Sequence, residues 1–94
     1  SDRIAIGVIA ALRDRGRSVP GDVSVVGFDD IAAAAHFNPP LTTVQQDTHR
    51  AGEMLVDNLL RLIAGEQVES ALIEPRLVVR ASCGGVSALP DRRP

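Results

Sequence analysis

The sequence contains no lysine, tryptophan or tyrosine, and it has a single cysteine. Without a lysine amine, Schiff-base chemistry, Walker-type phosphate loops and Ser–Lys nucleophiles are excluded. The one thiol, Cys83, cannot form an internal disulfide, so cysteine usage leaves the redox compartment open. Because Phe28 and Phe37 are the only aromatic residues, a core must be built from the smaller side chains of Val, Leu, Ile and Ala.

Long apolar runs and an excess of positive charge are also absent. No apolar stretch approaches the roughly 18 residues that a membrane-spanning helix needs. Ten basic residues, all arginine, stand against twelve acidic ones, for a net charge of −2. This balance does not match a nucleic-acid backbone. The 94 residues, 45% of them hydrophobic, are instead typical of one small folded domain.

Residues 2–16 are predicted to form a first helix, which Ser1 or Asp2 can cap and Gly16 can end. No polar side chain occurs between positions 4 and 12. At about 100° per residue, the face that packs on a sheet is predicted to carry Ile4, Val8, Ala11 and Leu12. Ile6 and Ala10 then point roughly the opposite way. A second covering surface is favoured over the alternative, a short Ala-rich helix with one exposed Ile.

Strands and helices alternate along the rest of the chain. The predicted elements are a strand at 23–28, a short helix at 31–36 capped by Asp30, a strand at 41–46, a helix from Asp47 or Thr48 to about Ala64, and a strand at 71–80. The first strand is almost continuously apolar, which is typical of burial on both faces of a parallel sheet. The α-β-α-β-α-β order indicates parallel α/β layering with right-handed crossovers. Pro75 makes the last strand an edge, a bulge or a break.

The acidic pair Asp29–Asp30 follows the strand at 23–28, at the end where ligands of open α/β sheets bind. One carboxylate can accept hydrogen bonds from ligand hydroxyls while the other caps the next helix. An equal alternative is that both are turn and cap residues. A phosphoacceptor pocket is disfavoured. Such a pocket combines an Asp cluster with a lysine on a neighbouring strand, and this sequence has no lysine.

No catalytic or metal-binding set emerges from the remaining residues. His36, His49 and Cys83 match no zinc spacing. Ser82 and Ser87 lack the context of a nucleophile elbow. We therefore expect no metal, no cofactor and no enzymatic activity.

Four ordered motifs resemble those of the lactose-repressor-like (LacI/GalR) regulators. Residues 19–30 read VPGDVSVVGFDD and residues 39–44 read PPLTTV, both similar to signatures of that family at the expected spacing. Residues 1–7, SDRIAIG, resemble the start of a family helix, and residues 77–82, LVVRAS, resemble the terminal LVVRxS. The resemblance covers residues 1 to about 83, and the four motifs together make it specific.

The resemblance implies an α/β fold, a partial periplasmic-binding-protein-like (type I) fold with a parallel sheet and flanking helices. In that fold two subdomains close around a small effector. The chain is expected to be about the last third of a longer protein whose N-terminal helix-turn-helix domain, absent here, binds DNA. The implied division is 1–45 in the C-terminal subdomain, 46–70 as hinge crossing and N-subdomain helix, 71–83 as returning strand and 84–94 as mobile tail.

The resemblance also implies a set of effector-binding residues. Asp29 matches the pocket carboxylate, which accepts hydrogen bonds from hydroxyl or amine groups of the effector. Ser1 matches a pocket position that is often Asn, and Gln46 matches a hinge-side position close to the ligand. Thr48 stands where some relatives place an aromatic side chain, so ring stacking is not expected there.

A dimer interface is implied as well. Ile6 and Phe37 match positions at which C-terminal subdomains pair, and Ala10 and His36 are assigned to the same surface. The expected assembly is a homodimer or a dimer of dimers.

The implied function is sensing of a sugar-like or nucleobase-like effector, and dimerisation, within a cytoplasmic DNA-binding transcriptional regulator. A repressor is favoured. DNA would be contacted only through the absent N-terminal domain, and no membrane is involved. The alternative is a sugar-binding protein of a transport system with the same fold.

Overall fold

The computed structural model describes residues 1–84. Within that range the elements are α1 (Asp2–Asp14), α2 (Ala32–His36), β1 (Thr43–Gln45), α3 (Thr48–Ile63) and β2 (Arg76–Val78). The chain divides into two compact units. The first consists of Ser1–Gln45 with the described residues from Arg76 onward, and the second is Gln46–Pro75. The predicted tail, apart from Gly84, lies outside the described residues.

Helix α1 begins as predicted but buries a different face. The Ser1 hydroxyl oxygen accepts a hydrogen bond from the Ile4 amide at 3.3 Å, which caps the helix. The buried residues are Asp2, Ala5 and Ile9, and Ile6 packs partly buried against the core. The predicted inward face is wrong for three of its residues, since Ile4, Val8 and Ala11 are exposed. An uninterrupted apolar run does not indicate which side of the helix faces the core. The inward face is instead marked by Asp2, a buried acidic residue.

Residues 23–28 form an extended segment rather than a full strand. It has one parallel bridge, between Val26 and Thr42. The amides of Gly27 and Asp29 donate to the carbonyl oxygens of Thr42 and Val44 at 2.9 and 2.8 Å. The segment therefore runs parallel to β1. Only alternate residues, such as Val25 and Gly27, are buried, so the prediction of burial on both faces is wrong.

The sheet in the described residues has two antiparallel strands, with Thr43 opposite Val78 and Gln45 opposite Arg76. The prediction of a parallel sheet is wrong for this pair. The chain leaves the first unit after β1 and re-enters it beside the point where it left, so β2 must run back along β1. Pro75 lies directly before β2. Every residue of β2 therefore keeps its backbone N–H donor.

Helix α2 lies against the core without a side-chain cap. Its N-cap residue is Ile31, whose apolar side chain makes no capping hydrogen bond. The prediction that Asp30 caps this helix is therefore wrong, because the carboxylate of Asp30 is bound elsewhere.

Helix α3 matches its predicted bounds. The Asp47 carboxylate caps it by accepting from the Arg50 amide at 3.0 Å, and Gly65 follows with a φ of 85°, as expected of a residue just past a helix end. Its predicted apolar stripe is present, but within the described residues none of α3 is buried. The exposed residues of this stripe are Leu55, Val56, Leu59, Leu60, Leu62 and Ile63.

The core belongs to the first unit and consists of small aliphatic side chains, as the composition predicts. Its buried hydrophobic members are Ala5, Ile9, Val25, Ala34 and Leu41. Ser82 ties the segment after β2 onto this core. The hydroxyl of Ser82 donates to the Val25 carbonyl at 2.6 Å and accepts from the Thr42 amide at 2.8 Å. The segment after β2 is therefore fastened to the extended segment 23–28 and to the residue just before β1.

Candidate functional site

The backbone turns sharply at Asp29 and Asp30, the acidic pair that the sequence singles out. Asp29 has a φ of 118° and Asp30 a φ of 56°. Positive φ angles are uncommon for residues with a Cβ; each costs about 1–3 kcal/mol and persists only where its surroundings hold it. The Asp29 amide donates to the Val44 carbonyl at 2.8 Å, and the Asp30 amide donates to Thr43 Oγ1 at 3.3 Å. This corner is thus fixed against β1.

The two carboxylates of the pair have different environments. One oxygen of Asp30 accepts from Arg80 Nη1 at 2.8 Å, and the other accepts from Gln45 Nε2 at 3.0 Å. Asp29 is exposed, and among the residues that the structure describes its carboxylate has no hydrogen-bond or ion-pair partner. Asp29 is therefore the carboxylate that can accept hydrogen bonds from a ligand.

A third carboxylate, that of Asp2, supports the corner from inside. It is fully buried, and it accepts from Thr43 Oγ1 at 2.5 Å and from the Ile31 amide at 2.8 Å. A Cβ on Gly27 would collide with this carboxylate and approach Leu41 Cδ2 to 2.9 Å. Position 27 therefore requires glycine because of this close approach.

Sequence reasoning missed the role of Asp2. The acidic residue directly after Ser1, within the SDRIAIG motif, was the available signal. Helical periodicity obscured this signal, because a charged residue is normally assigned to the exposed face of a helix.

The structure brings Ser1 close to Asp29. The amide of Asp2 donates to the carbonyl of Phe28 at 3.0 Å, so Ser1 and Asp29 flank a bonded backbone pair. Ser1 is exposed, and its hydroxyl proton can be donated while the oxygen caps α1. Gln46 is also exposed, but it is the first residue of the second unit.

The residues expected at a dimer interface all lie in the first unit. Ile6 and Phe37 are partly buried against the same core cluster, whereas Ala10 and His36 are exposed. The Arg13 guanidinium lies 5.9 Å from the centre of the Phe37 ring and donates to the Asn38 carbonyl. A cation over a ring face is attracted by the ring quadrupole.

Other kinds of site find little support in the described residues. No group of three or more His, Cys, Asp or Glu side chains there could hold a metal ion. His49, on α3, pairs with Glu53 at 2.7 Å, and the thiol of Cys83 lies 3.2 Å from Thr42 Oγ1. None of the helices there is long and apolar enough to cross a membrane.

Known proteins share both the sequence and the fold of this chain. Residues 1–83 match the family of periplasmic binding protein-like domains. The chain is 43% identical to the lactose operon repressor of Klebsiella pneumoniae over 94 residues, which are 99% of this chain and 27% of that protein. It is also 43% identical to the repressor PurR of Glaesserella parasuis over 89 residues, 86% of this chain and 26% of that protein. The chain thus spans about a quarter of the length of these relatives.

Solved structures give the same result. A structure of the lac repressor dimer bound to operator and the anti-inducer ONPF superposes with a TM-score of 0.84 at 38% identity, over 88% of this chain and 29% of that one. A complex of the transcriptional regulator CelR with cellobiose gives 0.80 at 40% identity, over 87% and 26% of the two chains. These relatives are transcriptional regulators. The chain belongs to the family of periplasmic-binding-protein-like domains, and it corresponds to the effector-binding part of LacI/GalR transcriptional repressors.

Proposed function

We propose that this chain is the C-terminal part of the effector-binding domain of a cytoplasmic transcriptional repressor, and that Asp29 binds the effector. The observation that carries the proposal is the exposed Asp29 carboxylate on a corner held in an uncommon backbone conformation. Strained backbone of this kind concentrates at ligand-binding sites. In the proposal, residues 1–45 belong to the C-terminal subdomain, residues 46–70 cross the hinge and supply a helix to the N-terminal subdomain, and residues 71–83 form the returning strand.

The chemistry of Asp29 favours an effector that carries hydrogen-bond donors. An ionised carboxylate only accepts hydrogen bonds, and each bond to a charged group contributes about 1.5–3 kcal/mol. Neighbouring hydroxyl groups of a sugar, or the N–H groups of a nucleobase, supply such donors. Ser1 adds a hydroxyl beside Asp29, and the family resemblance adds Gln46 to the proposed effector contacts.

The same proposal includes a homodimer, or a dimer of dimers, that forms through the first unit. The proposed contact surface consists of Ile6, Ala10, His36 and Phe37. Arg13 lies against the Phe37 ring, so the surface would combine apolar contact area with a planar cation, which is typical of the centres of protein interfaces.

Regulation would arise because effector binding changes the affinity of the full-length protein for its operator, through a coupling free energy of about 1–3 kcal/mol. Operator binding by the full-length protein, measured by fluorescence anisotropy, tests this. We expect at least one member of a panel of mono- and disaccharides and nucleobases to shift operator affinity by about 5- to 150-fold.

The matched control in that experiment is the 94-residue chain itself. Because its net charge is −2, we expect it to bind no operator at any effector concentration. Specific operator binding by the 94-residue chain, or no response of the full-length protein to any compound of the panel, would contradict the proposed function.

A further inference from the structure

We propose that Arg80 is a positioning residue for the effector site: through its ion pair with Asp30 it holds the corner that presents Asp29. This inference rests on the proposed function, in which Asp29 contacts the effector. Arg80 itself is not expected to touch the effector, because its side chain is engaged with the protein.

Arg80 bonds to several parts of this corner at once. Its Nη1 donates to Asp30 Oδ1 at 2.8 Å and to the Leu41 carbonyl at 2.9 Å. Its backbone amide donates to Thr42 Oγ1 at 2.8 Å. Arg80 thus links the segment after β2, the two residues just before β1 and the acidic pair.

The Arg80–Asp30 pair is shielded from solvent. The side chains of Arg80 and Asp30 are 19% and 12% exposed. Attraction between charges is stronger in such a site than at the surface. Removal of one partner leaves the other charge uncompensated in a mostly buried position. Loss of the Arg80 guanidinium therefore drives Asp30 to reorient toward water.

Reorientation of Asp30 would move Asp29, because the two share a peptide bond and both hold positive φ angles. Backbone in sparsely populated conformations persists only while its surroundings over-determine it. With Arg80 gone, Gln45 Nε2 and the backbone contacts to β1 remain. The predicted effect is hence a loosened corner in a folded protein.

The other ion pairs in the described residues have no such position. His49–Glu53 and Arg61–Asp57 are exposed pairs on α3, and neither lies at the corner that presents Asp29. Exposed pairs of this kind contribute little to stability. Arg61→Ala is therefore the matched control for Arg80→Ala, since it also removes an arginine from an ion pair.

The first experiment needs no effector. Amide hydrogen exchange is measured by NMR in full-length wild-type protein and in the Arg80→Ala, Arg80→Lys and Arg61→Ala variants. We expect Arg80→Ala to speed exchange at the Asp29 and Asp30 amides by about tenfold or more while the Gly27 amide is unchanged. Arg80→Lys should recover part of the protection. Unchanged exchange at Asp29 and Asp30, or equal acceleration at Gly27, would overturn the proposal.

The second experiment is a double-mutant cycle on binding, with cellobiose as the probe and calorimetry as the measurement. We expect Arg80→Ala to weaken binding by about tenfold in the wild type and to have no further effect in an Asp29→Ala background. Additive losses would overturn the positioning role. If the wild-type protein does not bind cellobiose, a cellobiose effector is excluded, and the exchange experiment alone decides on Arg80. Where Arg80→Ala fails to fold, Arg80→Lys and Asp30→Asn replace it in both experiments.

Discussion

Two neighbouring residues of the same type, Asp29 and Asp30, are placed in different roles by contacts that lie far away in sequence. The strand-end position of the pair follows from the apolar run before it, and sequence reasoning found it. The division of roles depends on Arg80, which is 50 positions away from Asp30, and on Gln45. No local pattern encodes such a tertiary pairing, so the prediction that Asp30 caps α2 was wrong.

At the same scale, Gly27→Ala should destabilise the protein. The new Cβ meets the buried Asp2 carboxylate and Leu41, and overpacking of this kind costs about 1–3 kcal/mol. The free energy of unfolding from urea titrations measures the loss. Gly52→Ala is the control, because nothing lies within 4 Å of a Cβ at that position of α3, and there alanine should stabilise the helix. A neutral Gly27→Ala would show that the close approach is absent.

Ser82→Ala should also destabilise the first unit. The Ser82 hydroxyl bonds both Val25 and Thr42 in a buried position, and its removal leaves the Thr42 amide without that acceptor, at a cost of about 1–3 kcal/mol. Chemical denaturation again provides the measurement. The control is Ser24→Ala, whose hydroxyl is exposed and accepts one hydrogen bond from the Gly84 amide. Equal losses in the two variants would contradict this role for Ser82.

Among the elements, the two long helices show what periodicity can and cannot predict. Helix α3 alternates polar and apolar residues, so its bounds were predicted correctly, but its apolar stripe is exposed in the described residues. Helix α1 has no polar residue between positions 4 and 12, and the predicted face was wrong because the run sets no phase. The burial of segment 23–28 was also overestimated. A β-branched apolar run does not reveal how many strands lie beside it.

Because the stripe of α3 is exposed, we expect a substitution in it to change the free energy of unfolding of the 94-residue chain much less than a substitution in the core. Leu59→Glu should change the free energy of unfolding by no more than about 0.5 kcal/mol, because the side chain is 55% exposed. Ile9→Ala should cost about 2–5 kcal/mol, because Ile9 is fully buried in the core. Thermal and urea unfolding of both variants measure the difference. A large loss in Leu59→Glu would mean that the stripe is covered.

For the whole molecule, four motifs placed the family correctly, yet they left the sheet direction and the inner support of the site unresolved. The antiparallel pairing of β1 with β2 follows from the return of the chain to its first unit, which motif order does not express. The chain spans about a quarter of the length of its relatives. We therefore expect the isolated 94 residues to bind effector weakly or not at all, and tight binding in calorimetry would contradict this.

The proposed role of Asp29 in effector binding is tested by calorimetric titration of the full-length wild-type protein, and of Asp29→Ala and Asp22→Ala variants, with a compound that shifts operator affinity. We predict that Asp29→Ala weakens binding by about tenfold or more, since hydrogen bonds to the charged group are lost, while Asp22→Ala, an exposed turn residue, binds like wild type. Unchanged effector affinity in Asp29→Ala would contradict this role.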